Sequence, residues 1–215
     1  MDMESSQAIH INPISNLAAQ ITVPGSKSYS QRALVAASLA HGPSILRNVL
    51  LSEDTSRFIE ALRALGANIT ADADNMVVEG VNGKLSTPKK PLYLGNNGTA
   101  MRFLASIVCL SRGAVTLTGD DRLCERPIEP LMAYLGHLGV RYRYVIKNGF
   151  PPVEIQADGL RGGYLKIQDI ESSQYISSLL LAAPYAQAPV SIMLEEGIVS
   201  RPYIDMTVQV MADFG

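Results

Sequence analysis

A helical pattern that stops at a glycine occurs three times in this chain. Residues 61–67, 132–140 and 208–215 each end that way, and the glycines, Gly66, Gly139 and Gly215, stand 73 and 76 residues apart. Glycine releases a chain from a helix because it enters the left-handed conformation without a Cβ clash. So regular a spacing points to one structural unit used three times.

Upstream of each glycine the copies stay in step. A helix rich in Ala, Leu and Ser comes first (28–40, 99–110 and 173–183), then a strand (44–49, 114–118 and 190–194), a polar turn and a second helix. The second helices open at Ser52-Glu53-Asp54-Thr55, Arg126-Pro127-Ile128-Glu129 and Arg201-Pro202-Tyr203-Ile204-Asp205. Acids and an early proline suit a first helical turn. After Gly66 and Gly139, alternating residues predict strand pairs at 68–70 with 76–79 and 141–146 with 153–156. Residues 8–11 and 19–23 also have strand character. The expected fold is therefore α/β (α+β), one lobe of three β-α-β-α-β-β units at about 23–90, 91–165 and 166–215. The third is expected to be incomplete, because its copy reaches Gly215 without the two closing strands.

Composition removes several functions. Eighteen Lys+Arg against 20 Asp+Glu give a formal charge of -2, and no basic run is present, so the chain lacks the footprint of a duplex binder. The longest apolar stretches, 103–110 and 176–183, fall far short of the roughly 20 residues a membrane span needs. The first 15 residues lack the basic and apolar regions of a secretory signal, so a cytoplasmic setting is expected. Cys109 and Cys124 have no metal or disulfide spacing and read as reduced thiols. His10, His41 and His137 form neither a metal set nor a triad, and no metal is inferred.

The chemistry-bearing residues gather at helix starts. Val23-Pro24-Gly25-Ser26-Lys27-Ser28 leads through a Pro-Gly turn into the first helix, with Lys27 as a mobile point charge and Arg32 one turn on from Ser28. The spacing is not that of a Walker loop. Leu94-Gly95-Asn96-Asn97-Gly98-Thr99-Ala100-Met101-Arg102 repeats the design in the second unit, and Glu171-Ser172-Ser173-Gln174 in the third. Each stretch taken alone is equally a turn or a simple cap. Three such N-termini, with Lys27, Arg32, Arg102 and Arg126 nearby, build a positive field suited to a small polyanion without a high net charge.

Together these segments resemble 5-enolpyruvylshikimate-3-phosphate synthase, also called 3-phosphoshikimate 1-carboxyvinyltransferase. The resemblance is carried, in order, by Pro24-Gly25-Ser26-Lys27-Ser28 with Arg32, Leu94-Gly95-Asn96 with Gly98-Thr99-Ala100-Met101-Arg102, Asp121 to Glu125-Arg126-Pro127-Ile128, Ser172-Ser173-Gln174, and Ser200-Arg201-Pro202-Tyr203-Ile204. It spans essentially the whole chain but only about the first half of the family's length.

The resemblance implies an enolpyruvyl-transferase-like inside-out lobe, residues 23–215, facing a second lobe across a cleft, with residues 1–22 belonging partly to that other lobe. It implies transfer of the enolpyruvyl group of phosphoenolpyruvate to the 5-hydroxyl of shikimate 3-phosphate, with no metal or organic cofactor. Matched positions imply shikimate 3-phosphate contacts at Lys27, Ser28, Arg32, Ser172, Ser173, Gln174, Ser200 and Tyr203. They imply phosphoenolpyruvate contacts at Lys27, Gly98, Arg126 and Gln174, with Lys27 and Arg126 as the catalytic charges. Asn96, Thr99 and Arg102 take structural roles near the site. Gly98 fits a site that admits the inhibitor glyphosate in the complete enzyme. Asn97 and Phe103 stand where many relatives carry smaller or different residues.

The other main carboxylates, lysine and arginines of the family's site belong to its second half, so the isolated chain is expected to be inactive. Partners are the two small substrates and the missing lobe, with no nucleic acid or membrane. Two other readings are a lobe that only captures a phosphorylated metabolite, and the related UDP-N-acetylglucosamine enolpyruvyl transferase, whose first motif departs from Ser26-Lys27-Ser28.

Overall fold

The computed structural model describes residues 9–72, 75–168, 172–195 and 200–215. Ala8 and Glu171, part of the expected first strand and third helix start, lie outside the described residues.

The repeat is visible in the order of elements. The first unit runs through α1 (Lys27–Leu39), β1 (His41–Arg47), α2 (Glu53–Ala64), β2 (Asn68–Asp72) and β3 (Asn75–Val81). The second has β4 (Leu92–Tyr93), α3 (Gly98–Ile107), β5 (Arg112–Thr118), a short α4 (Asp121–Cys124), α5 (Glu129–His137), β6 (Arg141–Tyr144) and β7 (Val153–Asp158). The third contributes β8 (Gly163–Ile167), α6 (Ser173–Ala182), β9 (Val190–Leu194) and α7 (Arg201–Asp213).

The second unit shares its strand arrangement in part with each of the others. Antiparallel β3 lies between β1 and β2, and antiparallel β7 between β5 and β6. Parallel β4 borders β5 as parallel β8 borders β9. The glycine stops behave as their sequence demands. Gly66 and Gly139 have φ of +108° and +89°, and the next amides, Ala67 and Val140, reach back to Leu62 O at 3.2 Å and Leu135 O at 3.0 Å. That pairing closes the last helical turn on orphan carbonyls.

Helices form the inside and sheets the outside. α3 packs on α6, α6 on α7, and α7 on α1. Buried residues occur all round α1, α3 and α6, so these helices lack a solvent stripe. β7 instead alternates, with Val153, Ile155 and Ala157 inward. Small polar residues tie the central helices together. Ser178 Oγ lies 2.6 Å from Ser106 Oγ and donates to Arg102 O at 2.5 Å, satisfying hydroxyls that burial would otherwise leave costly.

Two expectations need correction. Residues 9–23 form neither helix nor strand, and Ile21 and Val23 are 79% and 65% exposed. Alternating apolar residues become a strand only where a neighbour supplies backbone partners, and β1 pairs only with β3 among the described residues. The second unit's later helix starts at Glu129 rather than Arg126, because α4 and its loop occupy the preceding residues.

Candidate functional site

Four helix starts from the three units meet around a cavity of about 240 Å³. α1 contributes Ser28 and Arg32, α3 Thr99, α6 Ser173 and Gln174 beside its cap Ser172, and α7 Tyr203 beside Ser200. Ser172 caps α6 by accepting the Gln174 amide at 3.3 Å, and Asn97 caps α3 by accepting the Ala100 amide at 3.0 Å. Helix starts present unpaired N–H groups and the positive end of the macrodipole, so the cavity is polar and anion-seeking by construction.

Arg32 lies 1% exposed at the inner wall. Its Nε donates to Thr207 Oγ1 at 2.7 Å, Nη1 to Ser28 O at 3.0 Å, and Nη2 to Ser177 Oγ at 3.2 Å and Tyr203 O at 3.3 Å. The guanidinium carbon stands 5.2 Å from the Phe103 ring centre and 5.7 Å from that of Tyr203. No carboxylate pairs with it among the described residues. Burial lowers its pKa to about 10, against the opposing influence of Tyr203 and Tyr29, so it remains a cation at neutral pH. A fixed, unneutralised charge at a polar cavity favours an anionic ligand.

A second group surrounds Gly98. Arg102 Nη1 donates to Gly98 O at 3.2 Å and to Gln174 Oε1 at 3.1 Å, while Gln174 Nε2 donates to Thr99 Oγ1 at 3.0 Å. Gln174 is thereby held in one orientation across two units. A Cβ on Gly98 would stand 2.7 Å from Arg102 Nη1 and 2.9 Å from Arg126 Nη1, so the absent side chain is what lets two guanidinium groups close over this backbone. Asn96 Oδ1 and Arg102 Nε are buried here without a protein partner among the described residues.

Lys27 stands outside the small cavity, with its side chain 45% exposed and its ammonium paired with the Asp54 carboxylate of α2. The structure thus gathers Ser28, Arg32, Thr99, Ser172, Ser173, Gln174, Ser200 and Tyr203 around one cavity, groups Gly98, Arg102 and Arg126, and sets Lys27 against Asp54. Sequence reasoning missed Asp54, Ser177 and Thr207, and singled out Asn97 only as a departure from relatives, not for its contacts. Asp54 was visible only as a helix-start acid, and Thr207 only as one more residue of a helix. Cys109 takes no part, since burial raises its thiol pKa and its Sγ–H points to Ala105 O. Among the described residues no three His, Cys, Asp or Glu side chains cluster to hold a metal.

A sequence model of the family EPSP synthase (3-phosphoshikimate 1-carboxyvinyltransferase) matches residues 11–215. The chain belongs to the EPSP synthase family. A 3-phosphoshikimate 1-carboxyvinyltransferase of Shewanella loihica is 44% identical over 210 residues, covering 96% of this chain and 49% of the relative. The protein of the same name from Haemophilus ducreyi is 41% identical over 219 residues, covering 99% and 50%. EPSP synthase from Acinetobacter baumannii superposes with a TM-score of 0.76 at 30% identity, over 83% of this chain and 41% of that one. The fold is thus the enolpyruvyl-transferase-like fold of EPSP synthase. The chain spans about half the length of the curated relatives it matches.

Proposed function

We propose that this chain carries the shikimate 3-phosphate-binding half of an EPSP synthase. The complete enzyme transfers the enolpyruvyl group of phosphoenolpyruvate to the 5-hydroxyl of shikimate 3-phosphate, releasing phosphate. The observation that carries this reading is the cavity where helix starts of all three units meet beside a buried arginine that has no carboxylate partner among the described residues. The Ser172 and Ser173 hydroxyls and Ser200 bind the phosphate, Tyr203 lies along the ring, and Ser28 and Arg32 hold the ring hydroxyls. Gln174, fixed between Arg102 and Thr99, touches both substrates.

Phosphoenolpyruvate lies at the Gly98 end, where Arg126 and Lys27 offset its negative charge. The reaction needs a proton delivered to the methylene carbon, another removed from the 5-hydroxyl, and fixed cations around the tetrahedral addition intermediate. Lys27 and Arg126 supply charge, and Lys27 shares in proton transfer. The remaining groups come from a second lobe, to which residues 1–22 partly belong, so the chain alone binds but does not turn over. Its setting is the cytoplasm, a reading supported by the two free cysteines.

Calorimetric titration of shikimate 3-phosphate tests the reading. Binding by the wild-type chain is expected, with loss in both Ser172→Ala and Arg32→Lys, since lysine cannot reproduce the guanidinium's forked contacts. A folded wild-type chain that binds nothing overturns it.

A further inference from the structure

Asn97, which a sequence reader takes for a turn residue, is 1% exposed and uses both ends of its amide, one within its own unit and one across a unit boundary. Its Oδ1 accepts the Ala100 amide at 3.0 Å and so starts α3. Its Nδ2 donates at 3.0 Å to the backbone carbonyl of Asp54, in the first turn of α2. The Asp54 carboxylate in turn holds the Lys27 ammonium. The next residue along from Asn97 is Gly98, the backbone over which Arg102 and Arg126 close. One buried amide thus links the anchor of Lys27 to the seat of Arg126.

We propose that Asn97 is a positioning residue for Lys27: acting through Asp54, it fixes where the Lys27 ammonium stands relative to the Gly98 and Arg126 group. The inference rests on the proposed assignment of Lys27 and Arg126 to the phosphoenolpyruvate end. The physical argument is one of constraint. An exposed lysine has four rotatable bonds, and a carboxylate confines it only as well as that carboxylate is itself held. Asp54 sits in a helical first turn, and the Asn97 amide pins that turn to the start of a helix in the next unit. Without the pin, the first turn of α2 loses its direct tie to the start of α3, and the spacing of the two cations loosens with it.

The two ends of the amide can be separated. Asn97→Ser keeps an acceptor for the Ala100 amide and therefore keeps the cap, while removing the donor to Asp54. Asn97→Asp also keeps the cap but turns an acceptor toward the Asp54 carbonyl. The first readout is the side-chain ammonium signal of Lys27 in proton–nitrogen NMR of the chain, assigned with Lys27→Arg. A resolved, slowly exchanging signal is expected in the wild type, lost in Asp54→Asn and broadened in both Asn97 variants, while their melting midpoints stay close to the wild-type value. The second readout is calorimetry with the chain saturated in shikimate 3-phosphate. Phosphoenolpyruvate affinity is expected to fall about tenfold in Asn97→Ser, the equivalent of one net hydrogen bond, with shikimate 3-phosphate affinity kept within about twofold. A Lys27 signal unchanged in Asn97→Ser yet lost in Asp54→Asn overturns the proposal. So does a wild-type Lys27 signal as mobile as those of the other lysines. A wild-type chain that binds neither ligand counts against the proposed function, and the Lys27 signal then decides the role of Asn97 by itself.

Discussion

Arg32 and Lys27 stand five residues apart at the start of one helix, and the fold treats their charges in opposite ways. Arg32 is sealed into the junction of α1, α6 and α7, bonded to hydroxyls and carbonyls, and faced by two aromatic rings. Lys27 stays half exposed and leans on a carboxylate. The first charge is preorganised and unneutralised, so it draws an anion without rearrangement and also belongs to the core. The second is already offset, so an incoming anion must share it with Asp54. The contrast teaches that one cation of this site is built into the core while the other is held at the surface by its carboxylate partner.

The largest expected effect comes from removing the fixed charge. Arg32→Ala strips partners from Thr207, Ser177 and two carbonyls and empties a large buried volume. A loss of about 3 kcal/mol in denaturant unfolding is expected, with shikimate 3-phosphate affinity down more than about 100-fold. Variants stable within about 1 kcal/mol of wild type would break the comparison.

Next is Gly98→Ala, whose new Cβ meets Arg102 Nη1 and Arg126 Nη1. The contacts fall on the ends of flexible side chains, so the fold should survive. Titrations should then show phosphoenolpyruvate affinity reduced by about tenfold and shikimate 3-phosphate affinity nearly unchanged, the sign of two separable regions. In stability alone Ser172→Ala should be modest, costing about 1 kcal/mol in thermal melts from the lost cap beside its loss of shikimate 3-phosphate binding.

Lys27→Ala should cost under about 1 kcal/mol of stability, as an exposed pair does, and a larger loss would show Lys27 to be structural after all. The smallest effect serves as a baseline. Half-buried Glu154 accepts two hydrogen bonds from the exposed Arg143, which lower its pKa. That contribution is present at neutral pH and fades as the pH falls into the carboxylate range. Arg143→Ala should therefore slightly flatten the acid limb of the stability profile, and thermal melts at pH 7 should barely move.

Much of the fold was legible because the unit repeats and its punctuation is local. Gly66 and Gly139 end helices by their own φ preference, and α6, β9 and α7 fall within a residue of their expected places. The failures are non-local. Residues 19–23 have the alternation of a strand but no strand partner among the described residues, and β1 begins at His41 rather than Ser44 because its register is set by pairing with β3. At the site, hydroxyls and arginines at helix starts could be read from type and spacing. The roles of Thr207, Ser177, Asp54 and Asn97 could not, since each depends on a partner that only the packed units supply, 175 residues away for Thr207 and Arg32.

The central claim is that helix starts from three units form one anion-binding cavity with Arg32 behind it. The most direct measurement follows the backbone amide signals of the nitrogen-labelled chain while shikimate 3-phosphate is added. The account predicts shifts concentrated at Ser28, Thr99, Ser173, Gln174 and Tyr203, drawn from all three units and saturating together. Shifts confined to one unit, or a folded chain whose amides do not move, would contradict it.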